Sequence, residues 1–264
     1  MNKQAHKFAV FGHPIAQSLS PLLHQQFAKA CGDNILYEKR EIAIDEFEAS
    51  VIQFFKQGGK GLNITLPFKV RAHEMADVSS DAATVAGAAN TLWFNKGKIY
   101  ADNTDGKGFI NDLKSKKIVI RNKKILIWGA GGAVKGILHP ILDEKPQQII
   151  ICNRTLKKAQ PLDKESEFIK VCPMDTMKDQ DYDVFINGTS GAQLTALPLS
   201  VHQHNATYYD LKYGKLALEG LKWAQKMGFS IILDGSGMLI QQAALSYEIW
   251  NNKRPPLEQI VLIN

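Results

Sequence analysis

An α/β fold with parallel, doubly wound sheets is predicted by three observations. Short apolar strands alternate with amphipathic helices along nearly the whole chain. A run of glycines closes one of those strands and opens the helix that follows. A polar, basic stretch divides the alternation into two series.

In the first series, Lys7 to Phe11 reads as a short buried strand ended by Gly12. Ser20-Pro21 fits an N-cap followed by proline at the first helical position, opening a helix that stops at Gly32. Leu36 to Ile42 is the next strand. Asp45 is read as the cap of a helix carrying Phe47, Val51, Ile52 and Phe55, closed by Gly58-Gly59. Gly61 to Ile64 is a third strand and Val70 to Ala76 a short helix. Thr91 to Phe94 and Lys98 to Ala101 form a hairpin around Asn95-Lys96-Gly97.

The second series starts with a strand at Lys124 to Trp128 and a helix at Gly132 to Leu142. Gln148 to Cys152 is a strand and a helix is expected from Leu156. Further strands fall at Asp183 to Ile186, Thr207 to Leu211 and Phe229 to Leu233. Helices occupy Lys215 to Met227 and Met238 to Trp250. Between the series, Asn103 to Lys124 is polar, with six basic residues in the eleven from Lys114 to Lys124. It reads as a linker or a solvated face.

Composition narrows the class. The 264 residues suffice for two modest domains or one large one, with roughly 75% of the unfolded surface buried and no need of metal or disulfide staples. Hydrophobic residues at 45% and charged residues at 22% exclude a disordered chain. No apolar run approaches a membrane span, and the N-terminal Phe8-Ala9-Val10-Phe11 is too short for a secretory leader. Cys31, Cys152 and Cys172 are sparse, odd in number and without a CxxC pair, so a reducing, cytoplasmic setting is expected and no metal site is. His24 and His139 fall on expected helices, where packing or surface roles are the default. The net charge of +6 suits an anionic partner. Nucleic acid is disfavoured, because the one basic cluster contains no stacking aromatic.

The sharpest motif is Gly129-Ala130-Gly131-Gly132-Ala133-Val134-Lys135-Gly136, a GxGGxxxG variant between strand and helix. Such a turn lets backbone approach a pyrophosphate whose charge then faces helix N–H groups. The same glycines also suit a tight turn without ligand. The end of the next strand favours the ligand. In NAD-binding folds an acidic residue there bonds the ribose 2′-hydroxyl. Here the chain reads Asn153-Arg154-Thr155, with Lys158 close behind and no Asp or Glu. Arg154 suits a 2′-phosphate, so NADP(H) is expected in preference to NAD(H).

Three segments offer chemistry. Gly61 to Lys69 places polar residues at a strand end and Lys69 in a first helical turn, a poor place for a purely structural cation. A lysine there can exchange a proton with a carbonyl or alcohol, although most lysines near helix starts are solvated surface. Asp102-Asn103-Thr104-Asp105-Gly106 is a second polar cluster, equally compatible with turns and caps. In the loop after the first strand, capping accounts for Ser20 but not for Ser18.

Taken together, Gly12–Pro21, Gly61–Lys69, Gly87–Thr91, Asn103–Gly106, Gly129–Gly136, Asn153–Thr155, Ile186–Ser190 and Asp234–Ala244 resemble the shikimate dehydrogenases in order and spacing over nearly the whole chain. The resemblance implies reversible NADPH-dependent reduction of 3-dehydroshikimate to shikimate, a step towards chorismate and the aromatic amino acids. It implies an N-terminal α/β substrate domain (1–105), completed by the C-terminal helical segment (238–264). A Rossmann-type NADP-binding domain (106–237) lies between them in sequence. Lys69 and Asp105 would be the catalytic pair. Ser18 and Ser20 would hold the substrate carboxylate with Tyr213 nearby, and Thr65, Asn90 and Gln242 its hydroxyls or carbonyl. Besides the glycine turn (Gly129, Ala130, Gly131, Gly132, Ala133) and Asn153, Arg154, Thr155 and Lys158, the residues implied to meet the cofactor are Asp77, Thr189, Ser190, Leu211 and Gly235. The small-molecule substrate is the expected partner, with no nucleic acid or membrane, in a monomer or homodimer.

The sequence departs from the family pattern at His13, Gln17, Gly188, Ser236 and Lys215-Leu216-Ala217. None of these removes a proposed catalytic residue. A quinate/shikimate dehydrogenase using NAD is the neighbouring enzyme reading, and Arg154 with the missing acid weighs against it. A nucleotide-sensing protein that had lost catalysis would be expected to break the Lys69–Asp105 pair, and both residues are present.

Overall fold

The computed structural model describes residues 5–174, 181–189 and 205–262. They fall into two compact units. One comprises the chain up to Gly108 together with the chain from Leu239 onward, the other Phe109–Met238. No helix among the described residues is long and apolar enough to cross a membrane.

The first unit contains β1 (His6–Gly12), α1 (Ser20–Cys31), β2 (Ile35–Glu41), α2 (Phe47–Lys56), β3 (Gly59–Ile64), α3 (Lys69–Glu74), β4 (Val78–Ser79), α4 (Asp81–Ala86), β5 (Thr91–Asn95), β6 (Lys98–Asp102) and the first turn of α5 (Asp105–Ser115). Its six strands run in the order β2-β1-β3-β5-β6-β4. β1 is parallel to β2 and β3, whereas β5 is antiparallel to β3 and β6. Both faces of this sheet are covered, which is why β1 reads as a continuous apolar run. Ala9 and Phe11 pack with Phe47, Val51, Phe54 and Phe55 of α2. Phe8 and Val10 join Tyr37 on the other face. On that side Trp250 stacks on Phe8 at 5.0 Å and donates its indole N–H to the Leu92 carbonyl.

The second unit continues α5 and adds β7 (Lys124–Trp128), α6 (Gly132–Asp143), β8 (Gln148–Asn153), α7 (Leu156–Ala159), β9 (Ile169–Pro173), β10 (Val184–Asn187), β11 (Thr207–Asp210), α8 (Leu218–Lys226) and β12 (Ile231–Leu233). α9 (Ser236–Asn251) opens here and continues into the first unit, so the C-terminal helix returns to it as predicted. Every strand pair in the second sheet is parallel, in the order β12-β11-β10-β7-β8-β9. That is the doubly wound order of dinucleotide-binding folds, with its direction reversing between β7 and β10.

Several local expectations are corrected. The polar stretch after Asn103 is not a linker at its start: α5 occupies Asp105–Ser115. Phe109, Ile110 and Leu113, with Ile118 and Ile120 beyond the helix, are buried in the core of the second unit. Three apolar residues on one helical face suffice to bury it, and the surrounding charges hid them. β4, α4 and β9 carry no clear signal in the sequence, being short or lying at sheet edges. The helix expected from Leu156 is one α-turn followed by a 3-10 turn at Gln160–Lys164, because Pro161 cannot donate to an α-helical ladder. Asp45 lies inside a 3-10 turn at Ile44–Glu46 and caps nothing with its side chain. Ser20 is not the N-cap of α1 but its first residue, and Ser18 Oγ accepts the Ser20 N–H at 3.3 Å.

Candidate functional site

In the first unit, polar side chains converge where α3 and α5 begin. Lys69 is the first residue of α3 and Asp105 the first of α5. Lys69 Nζ donates to Asp105 Oδ2 at 2.5 Å, and the two side chains are only 26% and 11% exposed. The lysine that sits poorly at a helix start thus has its counter-charge beside it. The other carboxylate oxygen, Asp105 Oδ1, accepts from Asn90 Nδ2 at 2.8 Å. Asn103 Oδ1 accepts the Asp105 N–H, which fixes the start of α5. The Lys69 carbonyl accepts the Ala89 N–H at 2.8 Å, tying α3 to the segment that carries Asn90.

Asn90 is buried and fully engaged. Its Oδ1 accepts from the Thr104 N–H and from Thr91 Oγ1, each at 2.9 Å. Its Nδ2 also reaches Thr104 Oγ1 at 2.9 Å and Gln242 Oε1 at 3.2 Å. Gln242 lies on α9, and Gly108 of α5 makes the approach possible. A Cβ at Gly108 would stand 2.8 Å from the Gln242 backbone nitrogen. Lys69, Asn90, Asp105 and Gln242 are therefore one constellation.

The remaining predicted residues of this unit make their hydrogen bonds elsewhere. Ser18 and Ser20 bond each other, hydroxyl to hydroxyl, at 3.2 Å. Thr65 is half-buried on the loop between β3 and α3, held by its N–H to the Phe11 carbonyl. Asp77 Oδ2 accepts the Ile99 N–H at 2.7 Å, an anchor for the β5–β6 hairpin.

In the second unit, the glycine turn sits at the point of reversal. Gly129 adopts φ +111°, and a Cβ there would meet the Gly188 backbone at 3.0 Å. Only glycine permits this turn beside the end of β10. Ala130 is buried, whereas Gly131, Gly132 and Ala133 are exposed. Gly131 is the N-cap of α6 and no side chain caps the helix. Around a Cβ built on Gly131 or Gly132 there is nothing within 4 Å. An uncapped helix N-terminus behind open space fits a pyrophosphate.

At the end of β8, Asn153 Nδ2 donates to the Thr155 carbonyl at 2.8 Å, and Arg154 and Thr155 are exposed. The Lys158 side chain and the whole of Ser190 lie outside the described residues. Thr189 donates both N–H and Oγ1–H to Asn187 Oδ1. Asn187 Nδ2 in turn donates to the buried Asp210 Oδ2 at 2.8 Å, which also accepts from the Tyr208 hydroxyl. Burial pushes the Asp210 carboxyl above the usual carboxylate range. The Leu211 N–H donates to the Asn187 carbonyl and the Gly235 N–H to the Lys212 carbonyl. Tyr213 is half-buried, which pushes its hydroxyl up. Cys152 and Cys172, far apart in sequence, are in-register partners on β8 and β9 with sulfurs 2.8 Å apart.

Sequence reasoning missed Asn63, Thr91 and Ser246 in the first unit and Asn187 and Asp210 in the second. All are buried polar groups that hold other polar groups. Asn63, Thr91 and Asn187 lie inside segments that carry the family resemblance, but nothing in the sequence singles out their own side chains, and Ser246 and Asp210 lie outside those segments.

A reversing parallel sheet with an open glycine turn, in a chain that also carries a braced lysine–carboxylate pair, defines a two-unit α/β protein of the dinucleotide-binding class. Family profiles agree segment by segment. The shikimate dehydrogenase substrate binding domain matches residues 10–92, shikimate / quinate 5-dehydrogenase matches 112–207, and the shikimate 5′-dehydrogenase C-terminal domain matches 235–261. The chain is 44% identical to a shikimate dehydrogenase (NADP(+)) of Legionella pneumophila (strain Lens), covering 97% of each. A crystal structure of an enzyme from Pseudomonas putida superposes with TM-score 0.89 at 39% identity, covering 96% of each chain. Shikimate 5-dehydrogenase from Thermus thermophilus, solved with NADP(H) and shikimate, gives TM-score 0.85 at 28% identity, again covering 96% of each. The chain belongs to the shikimate dehydrogenase family.

Proposed function

We propose that this protein is an NADP-dependent shikimate dehydrogenase, reducing 3-dehydroshikimate reversibly to shikimate in the biosynthesis of chorismate and the aromatic amino acids. The observation that carries the reading is the Lys69–Asp105 pair, braced by Asn90, in a chain of this family. The first unit, up to Gly108 and from Leu239 onward, serves as substrate domain, and the second, Phe109–Met238, as NADP domain. The three free thiols are in keeping with a reducing, cytoplasmic setting.

When bound, NADPH supplies the hydride that reduces the ketone carbon. The chain's own residues supply the proton and the positioning. Lys69 Nζ donates a proton to the ketone oxygen in reduction and takes it back in oxidation. Asp105 holds the ammonium through Oδ2, and Asn90 holds Asp105 through Oδ1, so Nζ is fixed before substrate arrives. Ser18 and Ser20, with Tyr213, bind the substrate carboxylate. Thr65, Asn90 and Gln242 bond its ring hydroxyls or carbonyl. A site built of such neutral groups rejects analogues lacking a hydroxyl, because its own polar atoms would be left unpaired.

The glycine turn from Gly129 to Ala133 holds the pyrophosphate. Arg154, with Asn153, Thr155 and Lys158, holds the 2′-phosphate, and no acidic side chain stands there to favour a bare ribose. Thr189, Ser190, Leu211, Gly235 and Asp77 complete the cofactor contacts.

Lys69→Ala tests the proton donor. Turnover is expected to fall by roughly 10²–10⁴ while the folded structure persists by circular dichroism. Turnover equal to the parent enzyme would remove Lys69 from the mechanism.

A further inference from the structure

Behind the Lys69–Asp105 pair runs a line of buried polar groups whose protons can be placed from chemistry alone. Asn63 Nδ2 lies 3.1 Å from the Asn90 carbonyl, an acceptor only, so the amide nitrogen faces it. Asn63 Oδ1 then faces Tyr37, whose hydroxyl donates to it at 2.7 Å. Asn63 Nδ2 also donates to Ser246 Oγ at 3.0 Å. Ser246 Oγ and Thr91 Oγ1 are 2.7 Å apart, so one donates to the other. Thr91 Oγ1 is also 2.9 Å from Asn90 Oδ1. That oxygen already accepts the Thr104 N–H, so the amide cannot be turned over.

A hydroxyl has one proton. If Thr91 gave its proton to Ser246, two oxygens would face each other 2.9 Å apart with no proton between them. Ser246 Oγ also lies 3.1 Å from the Gln242 carbonyl, but that oxygen accepts from Thr104 Oγ1 at 3.0 Å and does not need the serine proton. The allocation that places a proton in each of the two shorter contacts has Ser246 donating to Thr91 at 2.7 Å and Thr91 donating to Asn90 Oδ1 at 2.9 Å. The chain therefore runs one way, from Tyr37 through Asn63, Ser246 and Thr91 to Asn90, and Asn90 Nδ2 delivers it to Asp105 Oδ1. Thr91 is 0% exposed, too deep to touch a ligand itself.

We propose that Thr91 is a positioning residue for the reaction: as the last hydroxyl of this one-way chain, it holds and polarises the Asn90 amide that braces Asp105 against Lys69. The inference rests on the functional reading above. Hydrogen bonds in series strengthen one another, so removing one link weakens the brace without touching substrate.

The test is a double-mutant cycle on kcat/KM for shikimate with Thr91→Val and Asn90→Ala. Valine keeps the β-branched shape and removes the hydroxyl. Thr91→Val is expected to lower kcat/KM about five- to tenfold, in line with one buried hydrogen bond. The same change in the Asn90→Ala background is expected to cost less than twofold, and Thr91→Ser to restore the parent value within twofold. A purely structural threonine would lower activity equally in both backgrounds. Equal losses, or a Thr91→Val enzyme as active as the parent, overturn the proposal and leave the functional reading standing. A parent protein that does not oxidise shikimate overturns both.

Discussion

Arg154 and Lys69 are the two side chains on which the account most depends. Arg154 is exposed at the end of β8, without a carboxylate beside it in sequence. Removing a guanidinium that makes charge-assisted hydrogen bonds to a phosphate costs about 1.5–3 kcal/mol. Arg154→Ala is therefore expected to raise the KM for NADPH roughly ten- to hundredfold while the KM for 3-dehydroshikimate and the weak activity with NADH stay within twofold. Steady-state kinetics with both cofactors checks it, and an unchanged NADPH KM would move the 2′-phosphate elsewhere. Lys69 and Arg154 stand out in the sequence because each breaks a local rule, a cation at a helix start and a base where an acid is usual, whereas Asp105 sits in a polar cluster that turns and caps also explain and is marked by the family resemblance alone. Thr91, Ser246 and Asn63 break none. They sit in ordinary strand and helix positions, and only the pairing of β3 with β5 and the return of α9 bring them together.

The elements show why the site is where it is. Every strand of the second sheet except β9 was visible in sequence as an apolar run. β9 is an edge strand whose residues beyond Ile169 are half-buried or exposed, so its alternation is weak. α5 was hidden for a different reason, its apolar face being only three residues wide among charged neighbours. Gly108 gives α5 a sharper test. A Cβ there would stand within 3 Å of the Gln242 backbone, and neither helix has a flexible atom to yield. Gly108→Ala is expected to lose about 1–3 kcal/mol to overpacking, more than alanine's helix preference returns. Thermal denaturation should show a lowered midpoint, and kcat/KM should fall as Gln242 is displaced from Asn90. A variant more stable than the parent would contradict the close approach of the two helices.

For the molecule as a whole, one buried ring adds to the loss of stability in acid that the ion-paired carboxylates Asp33, Glu48 and Asp183 also bring. His24 is 0% exposed, stacks on Tyr37 at 4.2 Å, and neither ring nitrogen has a hydrogen-bond partner among the described residues. Burial, opposed in smaller measure by the nearby Asn63 side chain, lowers its pKa from 6.5 to about 3. Below pH 6.5 the unfolded chain binds a proton that the folded chain refuses, so this group removes stability as pH falls from 6.5 towards 3. Asp112 and Asp210 act in the opposite sense, since burial raises both and the folded state holds their protons longer. The comparison is therefore between the parent and His24→Leu, in which those carboxyls cancel. Denaturant midpoints are expected to converge in their pH dependence above 6.5 and to separate below it, the parent falling more steeply by about one proton. Parallel curves would mean that His24 takes up its proton in the fold as readily as in the unfolded chain. The proposed reaction is tested by the initial rate of nicotinamide oxidation by the purified protein with 3-dehydroshikimate, using NADPH and NADH in parallel. Turnover is expected to depend on 3-dehydroshikimate, with kcat/KM at least tenfold higher for NADPH. No turnover, or a preference for NADH, would contradict the proposed function.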